Sequence, residues 1–206
     1  MMKHRSIARI ILGICFVATL NSVLVPCARG QRGGMTIPRN LEQMVSQAEV
    51  ILRGRVTDAH LEPHPLLHHL PTIVVSLRVD EVLKGQVKDS FTFRQFVWDV
   101  RDRLDVAGYA KGDEVLLLLN PPTRYGLTSP VGLEQGRFRL LRDEQGRTSA
   151  VNGHGNVGLF RGLAELSRAR KLQLSAEAKS LIEQPYKGPV PYDQLRDLVR
   201  QLAGSK

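Results

Sequence analysis

Cysteine is nearly missing from this chain. Of its 206 residues only Cys15 and Cys27 are cysteines, and both fall within the first thirty. Whatever folds downstream of them has no disulfide to staple it, no thiolate nucleophile and no cysteine-based metal centre, so its stability must rest on packing. Aromatic residues are scarce as well, at 5%, and Trp98 is the single tryptophan. The familiar catalytic signatures are missing too: there is no Gly-x-Ser-x-Gly elbow, no His-Glu-x-x-His pair and no phosphate loop. The stretch 153–158 has the glycine spacing of a dinucleotide loop, but no second parallel strand is expected after it, as such a loop requires. Neither a catalytic residue nor a cofactor is assigned, and a protein that is not an enzyme is expected.

Nor is there a dense run of one charge. Lysine and arginine number 29 against 20 acids, and four of the basic residues (Lys3, Arg5, Arg9, Arg29) lie in the first thirty, which hold no acid. The remaining 25 against 20 is a mild excess spread along the chain, which argues against nucleic acid as a partner.

What the chain does have is a leader. A basic start is followed by an apolar run over 10–20, and Ala28-Arg29-Gly30 places small residues where a signal peptidase reads them. Residues 1–30 are expected to be a signal peptide, and the mature chain periplasmic or extracellular. Two alternatives stand beside this. The apolar stretch 7–25 is about long enough to act as an uncleaved anchor, although Asn21 and Ser22 interrupt it, and Cys27 follows residues that suit lipidation. Membrane contact is expected only in those two cases.

After the leader, 31–39 reads as a flexible tether rich in glycine. Asn40 with Gln43 has the spacing of a capping box, and Leu41, Met44, Val45 and Ala48 share a helical stripe. From Val50 the apolar period changes to two, with Gly54 marking a bend or a close backbone approach. Ile73, Val75, Leu77 and Val79 define a second strand, Phe91, Phe93 and Val97 a third, and Phe138 and Leu140 a fifth. The fourth, 114–119, is apolar enough for burial on both faces, and 148–151 adds an edge. Short strands with glycine-containing turns and no helices between them predict a mainly β domain over 40–151, a small five-stranded antiparallel barrel of the oligonucleotide-binding (OB-like) type. A linker and C-terminal helices follow over 152–206. The last of these carries the stripe Tyr192, Leu195, Leu198, Val199 and Leu202, which needs either its own sheet or a partner to cover it.

Four runs carry a resemblance: Ala48-Glu49-Val50 with Gly54-Arg55-Val56, the strand ending in Leu83-Lys84-Gly85, the turn Lys111-Gly112-Asp113-Glu114 into the apolar strand, and Gln135-Gly136-Arg137-Phe138. In these the chain resembles a group of exported bacterial proteins of unknown function, and it is similar over roughly 40–142 to the five-stranded barrel of the netrin-like modules in tissue inhibitors of metalloproteinases. The resemblance implies the barrel. It does not carry inhibition with it, because the inhibitory N-terminal cysteine of those modules has no counterpart here.

Two surfaces are candidate sites. His60, His64, His68 and His69, four of the six histidines, crowd between the first two strands, where imidazole nitrogens offer ligands to zinc, copper or nickel. Pro63, Pro65 and Pro71 prevent a helix that would align them, and Asp58 and Glu62 are the nearby carboxylates; a solvated hairpin loop is the other reading. Alternation sends Phe96 and Trp98 to the face opposite Phe91 and Phe93. With Arg94 they form a candidate stacking surface for a sugar, a peptide or a single strand, unless Trp98 lies under the loop that follows it. Asp99, Asp102 and Asp105, among arginines, read as a salt-laced surface loop. The expectation is thus a non-enzymatic binding or interaction module whose partner is an envelope or extracellular protein. A metal-binding protein using the histidine loop and an extracytoplasmic inhibitor-like module are the alternatives.

Overall fold

The chain enters its fold at the capping box. A computed structural model describes residues 36–183 and 187–204; the expected signal segment, both cysteines and the start of the tether lie outside them. The Asn40 carboxamide oxygen accepts the Gln43 N–H at 2.9 Å, and the Gln43 side chain accepts the Asn40 N–H at 3.0 Å. This satisfies two of the orphan donors that open helix α1 (Leu41–Gln47). Strands β1 (Val50–Pro63), β2 (Pro71–Lys84) and β3 (Ser90–Phe96) follow. The short helix α2 (Asp102–Asp105) then leads to β4 (Glu114–Leu119), β5 (Arg137–Arg142) and β6 (Thr148–Asn152). Helices α3 (Leu163–Ala169) and α4 (Ala176–Glu183), the two-residue β7 (Val190–Pro191) and helix α5 (Tyr192–Gly204) complete the order.

The five-stranded barrel is not formed. All seven strands lie in one antiparallel sheet in the order β3-β2-β1-β4-β5-β6-β7, open at β3 and β7. Periodicity within a strand reports which face is buried, whereas closure depends on which edges pair, and that information is not local. Here β6 is not an edge, because β7 pairs with it through Ser149 and Ala150. On the other side the 120–130 segment meets β3 only through the single bridge Arg94↔Leu127, and β4 only through Leu119↔Pro130.

The sheet carries a core on each face, as the run in β4 requires. Leu116 and Leu118 pack with α1, α5 and Phe138, while Val115, Leu117 and Leu119 pack with Val56, Val75, Leu77, Phe93 and Tyr109. Each such leucine, fully buried, contributes roughly 1.5–3 kcal/mol. The stripe of α5 lies on the helix-side core: Tyr192, Leu195, Leu198, Val199 and Leu202 are all buried. Polar contacts fix its rotation, since the Tyr192 hydroxyl donates to Glu81 at 2.7 Å, Arg200 bonds Glu81 at 2.6 Å, and the Arg53 guanidinium lies 4.8 Å over the Tyr192 ring. The chain thus covers its own helix.

The Leu-Lys-Gly motif gains a physical meaning from this arrangement. The Lys84 ammonium reaches the carbonyls that end α1, donating to Val45 at 2.7 Å and to Ala48, where a helix presents unpaired acceptors and partial negative charge. Gly85 turns at φ +84°, and a Cβ there would come within 2.9 Å of the Glu49 carbonyl. The motif locks β2 to the end of α1. Among the described residues no helix is long and apolar enough to cross a membrane.

Candidate binding site at the Trp98 corner

The four histidines do not converge. His60 lies on β1 with half its side chain exposed, its Nδ1 2.7 Å from Asp58 and its Nε2 3.4 Å from Glu62. His64 is only 1% exposed. Its Nδ1 accepts the Leu66 and Leu67 N–H groups at 3.2 and 3.1 Å, which leaves Nε2 as the protonated nitrogen donating to the Tyr125 carbonyl at 2.9 Å. Both nitrogens are committed to holding the hairpin tip. His68 and His69 are exposed on that tip, and among the described residues no group of three or more His, Cys, Asp or Glu could hold a metal.

Arg94, Phe96 and Trp98 are brought near one another but take different roles. In β3 the residues Phe91, Phe93 and Gln95 turn towards the core and Arg94 and Phe96 towards the other face. The Arg94 guanidinium is drawn into the hairpin, donating to Thr72 Oγ1 at 2.7 Å, Glu62 at 3.1 Å and the Pro63 carbonyl at 3.4 Å. Its hydrogen bond holds the Glu62 carboxyl below the ordinary value. Phe96 and Trp98 meet edge to face with centroids 5.4 Å apart. Beyond Phe96 the chain leaves the strand, so alternation no longer decides where Trp98 points. Trp98 is 48% exposed, and Val100 and Leu104 after it are 75% and 86% exposed.

Beneath Trp98 lies a buried polar cluster that the sequence reading missed. Asp102, expected on a salt-laced surface, is 4% exposed, and its Oδ2 accepts the Trp98 and Asp99 N–H groups at 2.8 and 3.0 Å. That carboxylate fixes the backbone of the corner. The chain then passes through a left-handed turn, Val106, Ala107 and Gly108 at φ 47°, 57° and 71°, a region that a β-branched valine occupies only under strain. Arg137 of β5 holds the turn by donating to the Ala107 carbonyl. The same guanidinium grips both Glu134 oxygens at 2.7 and 2.8 Å and stacks 4.5 Å from the Tyr109 ring. Gln95, 4% exposed, lines the same space, and its Oε1 has no hydrogen-bond partner. The cavity is about 330 Å³ counting its mouth, and its enclosed part has room for little more than a water-sized group.

Of these residues only Gln95 left a sequence signal, as the polar member of the row Phe91, Phe93, Gln95. Glu134 and Arg137 come from the other side of β4, and nothing local announces where they meet Tyr109.

The cluster makes stability depend on alkaline pH. Burial pushes the Tyr109 phenol from 10.0 up to about 12, and burial with the Glu81 hydrogen bond raises Tyr192 as well. A phenol whose value is raised by folding favours the folded state fully while both states are neutral, below its ordinary value. That advantage drains away as pH rises through the folded value. For Tyr109 it is on the order of 2–3 kcal/mol. Urea midpoints are expected to be flat with pH up to the ordinary tyrosine value and to fall above it, and Tyr109→Phe should make the fall shallower.

The chain matches no protein-family model and no curated protein.

Proposed function

We propose that this protein is an exported, non-enzymatic interaction module that docks an envelope or extracellular protein on the Trp98 corner. The observation that carries the reading is the run of exposed apolar side chains, Trp98, Val100 and Leu104, in one short segment after β3. Such a concentration next to an aromatic pair has the make-up of an interface centre. The ionisable groups behind it, Asp102, Glu134 and Arg137, are engaged in fixing the backbone or one another, which suits a rigid presenting surface better than acid–base chemistry. Three aspartates and two arginines are interleaved with the apolar residues over 98–105. That slight negative balance favours a protein over the anionic surface of a bilayer. Export follows from the leader at 1–30.

The test is capture from envelope extract by the purified chain, run beside Val100→Asp/Leu104→Asp. Both side chains are largely exposed, so the variant is expected to fold as the parent does. One protein should be retained by the parent and reduced about tenfold or more by the variant. Equal retention by the two, or none by either, would overturn the reading.

A further inference from the structure

We propose that the cavity under Trp98 receives the primary ammonium of a lysine side chain on the docked protein. The inference rests on the reading of the Trp98 corner as a docking surface and names the chemistry recognised there. Four features of the cavity point the same way.

Gln95 presents a buried acceptor without a donor. A side-chain oxygen 96% removed from solvent and unpartnered is rare in a folded protein, and its pairing is the natural work of an incoming N–H group. The charges around it favour a cation. Asp102 and Glu134 carry one negative charge each against the single positive charge of Arg137, and Asp102 uses only Oδ2 on the backbone. Arg137 is itself gripped by Glu134 through both oxygens, so its field is largely cancelled at short range. A carboxylate or phosphate would meet two acids and an orphaned acceptor, which excludes anions.

Size selects among cations. The enclosed space suits a group no larger than water, which matches an ammonium and leaves out the planar guanidinium and imidazole. The entrance suits the rest of a lysine. The half-exposed Trp98 ring offers its surface to the four methylenes of the stem, while the charged head passes inside, the arrangement in which lysine buries its stem and keeps its head among polar groups.

The solitary tryptophan makes the site directly observable, because Trp98 is the sole source of tryptophan emission. The full chain is titrated with Nα-acetyl-lysine methylamide, with the norleucine and arginine analogues as controls. A saturable change in Trp98 emission is expected with the lysine compound alone, at the roughly millimolar concentrations so small a ligand requires. Gln95→Met should weaken it about tenfold and Gln95→Glu tighten it about tenfold, the worth of one hydrogen bond to a charged group. Far-ultraviolet circular dichroism confirms that each variant is folded, and the comparison of lysine with norleucine on the parent chain stands without either variant.

An equal response to norleucine, no response to lysine, or an affinity indifferent to both Gln95 changes would overturn the proposal. Its failure is separable from that of the docking surface. If the Val100→Asp/Leu104→Asp variant loses capture while lysine never alters Trp98, the surface stands and the lysine pocket falls. If lysine binds while both chains capture equally, the docking reading falls, and with it the claim that the lysine comes from a protein held at this corner.

Discussion

Arg137→Met is expected to lower the free energy of unfolding by roughly 3–5 kcal/mol, the cost of removing one member of a buried ion pair. The side chains of Arg137 and Glu134 are 9% and 20% exposed, so water replaces little of what is lost. The substitution orphans the Glu134 carboxylate and frees the Ala107 carbonyl, and with it the hold on a turn whose left-handed residues have no other side-chain clamp from β5. Methionine keeps most of the volume against Tyr109, so the measured loss reports charge and hydrogen bonds rather than a void. Urea denaturation gives the value. The double change Arg137→Met/Glu134→Leu should recover part of it, because the stranded charge goes as well. A single-mutant loss under about 1 kcal/mol, the range of exposed pairs, would mean that the cluster is solvated and the corner less rigid than described.

Gly54→Ala should be comparably damaging, at about 2–4 kcal/mol. The Cβ would stand 2.5 Å from the Arg78 carbonyl oxygen, a backbone atom of the paired strand with no flexible end to swing away. Relief requires β1 and β2 to part, and β1 is held on its other side by β4 through Gly54↔Val115. The usual gain of about 0.5–1 kcal/mol from replacing glycine within a strand is too small to offset this. Gly146→Ala supplies the contrast: that residue turns at φ +77° with nothing within 4 Å of a Cβ, so only conformational strain of about 1 kcal/mol is expected. If the two substitutions cost the same, close approach is not the reason for glycine in β1.

Gly54 also shows what could be read from sequence alone. A glycine in the apolar row Val50, Leu52, Val56 signalled close approach, and the Asn40–Gln43 spacing signalled the cap that opens α1. The run 114–119 signalled burial on both faces, which the two cores confirm. All of these are local statements about period, cap and volume. The barrel was not such a statement. Whether β3 meets another strand depends on β7, two residues long and unannounced by any period, and on a 120–130 segment that contributes single bridges rather than a ladder. The site divides in the same way. Trp98 stood out as a solitary large aromatic past the end of an alternating strand, whereas Arg94 beside it turned inward to Thr72 and Glu62. The histidine cluster misled because proximity in sequence is not convergence in space. His64 closes the hairpin with both ring nitrogens, while His60 pairs along its own strand.

The central claim, that a partner protein sits on the Trp98 corner, is tested most directly by amide hydrogen exchange on the chain alone and on the chain bound to the protein it captures. The account predicts slowed exchange across 97–106 on binding, with α3 and α4 unchanged. Protection confined to α3 and α4 or to the open edge at β7, with 97–106 exchanging as in the free chain, would contradict it.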